Sequence, residues 1–233
     1  AQLWLVRGAS ARDALSAGGE RGLDARLETL GNDSEMGIAN LTRTAGEVYT
    51  DLLELGSAYV PALSPAGEGG AVLTERGYGV LKGGVLAGFL EGEAAKGLEL
   101  LAGGPAADII EAELAGDKVS VKIASTRTES ALAFQGGEPS ALKLTCRVEA
   151  RLSEYRERPA GQALAALRTD LARRERDRLE SALSQLRAMG ADCAGLGAKA
   201  GMFCPARWQA VQADWPEWFS QVPVEIQVEV KIL

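Results

Sequence analysis

The 233-residue chain contains no histidine. That absence removes the usual general base, the commonest metal ligand and every Ser–His or Cys–His nucleophile pair. Catalysis is therefore not expected, with Lys, Asp and Glu chemistry the only routes left open, and neither a metal nor a cofactor is implied. Cysteine is scarce: Cys146, Cys193 and Cys204 form neither a CxxC pair nor a zinc pattern, and an odd count completes no disulfide framework. If residues 191–203 are helical, Cys193 and Cys204 lie roughly 16 Å apart, well beyond the ~7 Å that a bridge tolerates. No run reaches the ~18 to 20 apolar residues of a membrane-crossing helix, and no charged-then-apolar signal segment opens the chain. Basic residues are also short, with 25 Lys and Arg against 32 Asp and Glu, a net charge of −7 and no basic stripe. Nucleic acid is excluded as a partner on that ground, because phosphate contacts dominate such affinity. The first residue is Ala1, already inside an apolar strand-like run (Leu3, Trp4, Leu5, Val6), so the chain is expected to continue upstream, where an export signal or lipid anchor would lie.

What is present is enough apolar residue, 46% of the chain, to bury a core. The organising stretch runs from Gly161 to Gly190. Leu164, Leu167, Leu171, Leu179, Leu183 and Leu186 recur at spacings of three, four or eight, which places them on one stripe of a helix. About 29 residues at ~1.5 Å rise make a rod of roughly 43 Å. The opposite side carries Arg168, Asp170, the run from Arg173 to Arg178, Glu180 and Arg187; its charges alternate in sign and read as a solvated face. A one-sided stripe of this length needs a sheet or other helices to cover it.

In chain order, Leu3 to Val6 reads as a strand, and Ser10 caps a short helix through Ser16. Leu23, Leu27 and Leu30 repeat helically, as do Val48, Leu52 and Leu55 before Gly56. Composition shifts to Pro, Gly and small residues at 64–70, which reads as a linker between a unit over 1–63 and a larger one over 71–233. Val72 to Arg76, Gly77 to Leu81 and Val85 to Leu90 are short strands, the last two joined across Lys82, Gly83 and Gly84. Glu91 to Leu101 is a short amphipathic helix. Ile109 to Leu114 and Val119 to Ile123 flank a Gly116-Asp117 turn. After Gly136-Gly137, Leu142, Leu144, Cys146, Val148, Ala150 and Leu152 alternate with Lys143, Thr145, Arg147, Glu149 and Arg151, a strand with one buried face. Helix resumes from Ala191 towards Pro205, and Trp208, Val211, Trp215, Trp218 and Phe219 share one face of an aromatic helix, read as core with a ligand or partner surface as the other reading. Val224, Ile226, Val228, Val230 and Ile232 close the chain as a second one-face-buried strand. The fold class is α+β: an antiparallel β-sheet with a long amphipathic helix and shorter helices packed on it, preceded by a smaller partial α/β domain.

Candidate chemistry is thin. Gly195, Gly197 and Ala200 fit G-x-G-x-x-A, but they follow a long helix, whereas a dinucleotide fingerprint must follow a strand and open a helix. Gly77, Gly79 and Gly83 have the wrong spacing for a phosphate loop and read as strand and turn glycines. Glu111 and Glu113 share one strand face and read as solvent-facing beside a hairpin turn, with an acid pair as the other reading. No residue is assigned as catalytic, cofactor-binding or metal-ligating.

The segment GYGVLKGGVLAGFLEGEAAKGLELL (Gly77 to Leu101) resembles the G-x-x-V-F-K-x-D-K-L-V-G-x-L-x-x-E-E-x-x-G-L-x-x-L opening of the C-terminal domain of the Ger(x)C spore germination proteins, the C subunits of nutrient germinant receptors. Later motifs agree in order: VSVKIASTRTE, PSALKLTCRVEARLSE, the long helix, ADCAGLGAKAG followed by Pro205, Trp208 and Trp215, and PVEIQVEVKIL. Residues 1–63 are similar to the end of that family's middle domain. Leu81 stands where the family has an aromatic, and Gly84 where it has an acidic turn residue. The resemblance implies a non-enzymatic lipoprotein subunit, anchored upstream of this sequence on the outer face of the spore inner membrane. Its implied partners are an integral-membrane A subunit and a transporter-like B subunit, with the isolated chain expected to be monomeric. The alternative is a free extracytoplasmic small-molecule-binding or hydrolytic protein.

Overall fold

Period-two hydrophobicity and paired glycine turns build two four-stranded sheets, and one long helix lies against both. In the computed structural model, residues 2–16, 22, 27, 41–66, 72–103, 108–114, 116–153 and 161–233 are described. The first sheet comprises β1 (Leu5–Val6), β2 (Ser57–Ala66), β3 (Val72–Lys82) and β4 (Val85–Leu90), in that order. β1 runs parallel to β2, and the other neighbours are antiparallel. Gly83 and Gly84, at φ 56° and 81°, supply the two left-handed residues that a tight hairpin turn matching strand twist demands. The two runs read as separate strands over 72–81 are one, because Gly77 (φ 81°) bends β3 without ending it.

Strand pairing corrects the expected linker. Ser64, Pro65 and Ala66 are not linker: they pair with Thr74, Leu73 and Val72, so the sheet draws strands from both sides of the composition shift. Pro61 lies within β2 beside a register shift between it and Leu63, and bulges are where a sheet accommodates proline. Residues 67–70 lie outside the described part, as do Leu23 and Leu30; Leu27 packs on Leu63 and Leu73.

The second sheet has the order β5 (Ile109–Leu114), β6 (Asp117–Gln135), β7 (Glu138–Ser153), β8 (Val224–Ile232). β6 is far longer than the legible Val119 to Ile123, and pairing with β7 carries it as far as the Gly136-Gly137 turn. β5 to β7 are antiparallel, but β8 joins β7 in parallel, so the expected antiparallel sheet is mixed. The physical reason is the connection: the chain leaves β7 and returns through helices, the crossover that a parallel neighbour requires.

Those helices are α4 (Gly161–Met189), α5 (Leu196–Gly201), α6 (Pro205–Val211) and α7 (Trp215–Gln221). Earlier come α1 (Ala11–Ser16), α2 (Ala45–Glu54) and α3 (Gly92–Ala102). Ser10 Oγ accepts from Asp13 N–H as anticipated, and Thr44 with Glu47 forms a reciprocal capping box on α2. Gly190 (φ 60°) ends α4, so the chain is not helical from Ala191; Ala191 N–H returns to Leu186 O in the manner of a left-handed helix cap. The aromatic helix is also split, because a short 3₁₀ turn over residues 212–214 precedes Pro216 near the start of α7. No helix among the described residues is long and apolar enough to cross a membrane.

A single apolar cluster extends from Tyr59, Tyr78, Val80 and Leu90 of the first sheet, through α3, to α4 and strands β5 to β7. Leu167, Leu171, Leu179, Leu183 and Leu186 are buried in it, and Leu164 is half-buried. The solvated face is narrower than the sequence suggested: Arg173, Arg176 and Asp177 are exposed, whereas Glu175 is buried. Arg187 bends inward to donate to the carbonyls of Phe219, Ser220 and Val222 at 3.0–3.1 Å. Leu167→Asp or Leu171→Asp places an unpaired charge in this core and is expected to cost roughly 3 kcal/mol or more, whereas Arg176→Ala should stay within about 0.5 kcal/mol. Thermal melts in which all three are equally mild would remove the stripe from the core.

Candidate functional site

The most crowded polar region lies where α3, α4 and the loop after α4 meet, and it begins with two missing side chains. A Cβ on Gly97 of α3 would overlap the Arg178 carbonyl of α4, so the two helices cross backbone to backbone only because this position is glycine. Gly88 of β4 likewise leaves room for the Met189 side chain. At the crossing Arg178 donates to Glu93 at 2.7 Å, to Asp108 at 2.9 Å and to Glu175 at 3.1 Å. Burial pushes the Glu175 carboxyl above its usual range, against the pull of the Arg178 guanidinium. Beside it, Glu99 is fully buried and accepts from Tyr78 Oη at 2.8 Å and Lys96 Nζ at 3.3 Å, while Tyr78 Oη accepts from Leu41 N–H at 2.9 Å. Burial, reinforced by the neighbouring Glu99 carboxylate, holds the Tyr78 phenol well above its ordinary value.

Asp192 plays the same bracing part in the loop. Its Oδ1 accepts from Leu196 N–H at 2.9 Å, and its Oδ2 accepts from Gly197 N–H and Trp215 Nε1–H, both at 2.8 Å. Burial raises its pKa, and those three donors oppose the rise. The glycines of G-x-G-x-x-A belong to this arrangement: Gly195 takes the left-handed turn at φ 67°, and the Trp215 ring sits where a side chain on Gly197 would stand. Gly201 yields to Trp208 in the same way, and Trp208 meets Trp215 edge-on at 5.4 Å. The motif is thus a seat for indoles, in agreement with the rejection of a dinucleotide reading.

A crevice of about 400 Å³ opens beside this loop, lined by Arg43, Asp51, Tyr59, Cys193, Lys199 and Met202. Arg43 is paired with Asp51 and donates to Tyr59 Oη at 3.1 Å. Lys199 reaches the carbonyls of Leu101 and Ala102 at the end of α3, at 3.4 and 3.3 Å, and burial lowers its pKa. Cys193 is a free, buried thiol whose pKa burial drives far up, and burial pushes Cys146 up to about 11. Neither thiol is poised as a thiolate nucleophile. No group of three or more His, Cys, Asp or Glu among the described residues has the geometry to hold a metal.

Glu111 and Glu113 both lie on the exposed face of β5, as expected. Gly77 and Gly79 are packing glycines, Gly77 against the Leu90 carbonyl and Gly79 beneath Leu5, Leu86 and Phe89. Sequence reasoning missed Asp192, the Arg43–Asp51 pair and the Glu99–Tyr78 bond. Only Asp192 carried a signal, an acidic residue just ahead of a glycine-rich helix start, where a carboxylate caps free N–H groups.

Fold and interior together define the class: a two-sheet α+β protein whose buried polar groups brace a helix crossing. Residues 76–233 match the family model described as Spore germination B3/GerAC like, C-terminal. The chain belongs to that family, and the resemblance read from its motifs is borne out. No curated protein matches it. The crystal structure of the GerBC protein is similar in fold, with a TM-score of 0.70 and 17% identity over 82% of this chain. The present chain spans 61% of the length of that one.

Two outcomes follow from the bracing roles. Asp192→Asn replaces an oxygen that accepts two bonds by a group that donates, and should cost roughly 2–4 kcal/mol in chemical denaturation; a loss below about 0.5 kcal/mol would show the Trp215 contact to be incidental. In the native state at about pH 8, a thiol reagent should modify half-buried Cys204 and spare Cys146 and Cys193 until unfolding; absence of any free Cys193 thiol after unfolding would reveal a bridge instead.

Proposed function

We propose that this chain is part of the C subunit of a nutrient germinant receptor, acting by assembly and not by chemistry. The observation that carries the reading is the family match over residues 76–233, with the GerBC-like fold in support. The subunit sits on the outer face of the spore inner membrane, held by a lipid anchor upstream of Ala1 and docked on the integral-membrane A and B subunits. Anchoring works through concentration: a tethered domain meets its partner as an intramolecular event, so modest contacts suffice. The interior suits a scaffold. Glu175, Glu99 and Asp192 are each held by donors, and the acidic chain offers no basic stripe for nucleic acid. The residues before the linker-like shift correspond to the family's middle domain and those from 71 onward to its C-terminal domain.

The test is genetic. Spores whose C subunit lacks residues 76–233 should lose nutrient-triggered germination, as should spores lacking the anchor, while agents that bypass receptors should act normally. Normal nutrient response from the truncated form would make this domain dispensable and overturn the reading. Calorimetry addresses the alternative of a free binding or hydrolytic protein: amino acids, sugars and nucleosides should give no stoichiometric micromolar heat with the isolated chain, and such a site would favour that alternative.

A further inference from the structure

We infer that β8 is a self-association edge, at which the β8 strand of a second copy of this chain pairs antiparallel and joins two β5–β8 sheets into one. β8 ends the strand order, and no further strand lies beside it among the described residues. Its parallel ladder to β7 runs without a shift from Val224 to Ile232. Leu142 N–H donates to Pro223 O and Leu233 N–H to Ala150 O, both at 2.8 Å, which assigns the odd-numbered residues to β7. The N–H and C=O groups of Val224, Ile226, Val228, Val230 and Ile232 therefore point away from the sheet. Arg176 donating to Ile226 O from outside marks the same direction.

Edges left open in this way are normally blunted by proline, a bulge, short length or charged side chains. β8 has no proline, bulge or short length, and its charged residues Glu225, Glu229 and Lys231 are turned to Lys143, Arg147 and Glu149 of β7. Its nine residues alternate Val or Ile with polar side chains, and they extend for roughly 30 Å at ~3.3 Å each. The opposite edge, β5, has six residues.

The side chains name the occupant, because the strand is complementary to itself. With a two-fold axis at Val228, Val224 stands opposite the second copy's Ile232 and Ile226 opposite its Val230, while Glu225 faces Lys231 and Gln227 faces Glu229, each pair occurring twice. Moving the axis one residue either way sets Glu225 against Glu229 or Glu229 against itself, like charges directly opposed. A groove of about 710 Å³, lined by Leu183, Val224 and Ile226 together with Arg176, Glu180 and Arg187, lies beside the start of β8. In the chosen register the second copy's Ile232, on the same strand face as Val224 and Ile226, arrives there. The Arg176 side chain is half exposed and is free to leave Ile226 O for solvent. This departs from the monomer expected from the sequence, and it does not depend on the receptor reading.

Analytical ultracentrifugation of the whole chain, on the order of 10 to 500 µM, tests it. The wild type should form dimers. Lys231→Glu or Glu225→Lys alone opposes like charges at both ends of the paired strands and should weaken association by about tenfold or more. An equimolar mixture of the two should restore it, since each is complementary to the other and neither to itself. Val228→Pro removes the central outward N–H, spares the ladder to β7, and should abolish dimers with an unchanged circular dichroism spectrum. A wild type that stays monomeric throughout, single variants that associate like the wild type, or a mixture no better than its components would each overturn the proposal.

Discussion

The approach of α3 to α4 at Gly97 is the constraint on which the rest of the structure depends. With no side chain at that position, the α4 backbone comes close enough for Arg178 to be ringed by Glu93, Asp108 and Glu175. A second gap, at Gly88, receives Met189 at the far end of the same helix, and Lys82 Nζ closes it by donating to Met189 O at 3.2 Å. Two points hold a rod along its length. With α4 so placed, its leucines meet β5 to β8 on one side and α3 on the other, each burial contributing on the order of 1.5–3 kcal/mol. The two sheets share a core because this helix and α3 lie between them.

That arrangement explains how a chain rich in charge hides so much of it. Glu99, Glu175 and Asp192 are buried carboxylates, which the interior tolerates only when donors surround them. Each has such donors, from a phenol and an ammonium, from a guanidinium, and from two backbone amides with an indole, respectively. Networks of this kind rigidify and specify a fold, and a removed partner leaves a stranded charge. A deeply buried thiol such as Cys193 stays protonated.

At 17% identity the GerBC fold shares few residues with this one, yet the architectures superpose over most of the chain. Packing physics allows this, because total core volume and the period of the hydrophobic pattern constrain a fold more than individual side chains do. The family match begins inside β3, so the first sheet draws its other strands from outside the matched region as well as within it.

What the sequence determined by itself was local and periodic. The leucine spacing of Gly161 to Gly190 located α4, the alternation of β7 and β8 located two strands and their inward faces, buried in β7 but only half-buried in β8, and the glycine pairs at 83-84 and 136-137 located turns. The ordered motifs also disclosed the family. The tertiary structure alone decided that β8 runs parallel to β7, that residues 64–66 extend a strand, and that Glu175, Arg178 and Arg187 turn inward from a face that looked solvated. The physical reason is the same in each case. Periodicity records which side of an element is apolar, a property of neighbours a few residues apart, whereas strand direction and the fate of a charge depend on partners as distant in sequence as Glu93 is from Arg178. The glycines show it most plainly: Gly97 and Gly197 look like flexible points in the sequence, and only the fold reveals the helix backbone and the indole ring that require them.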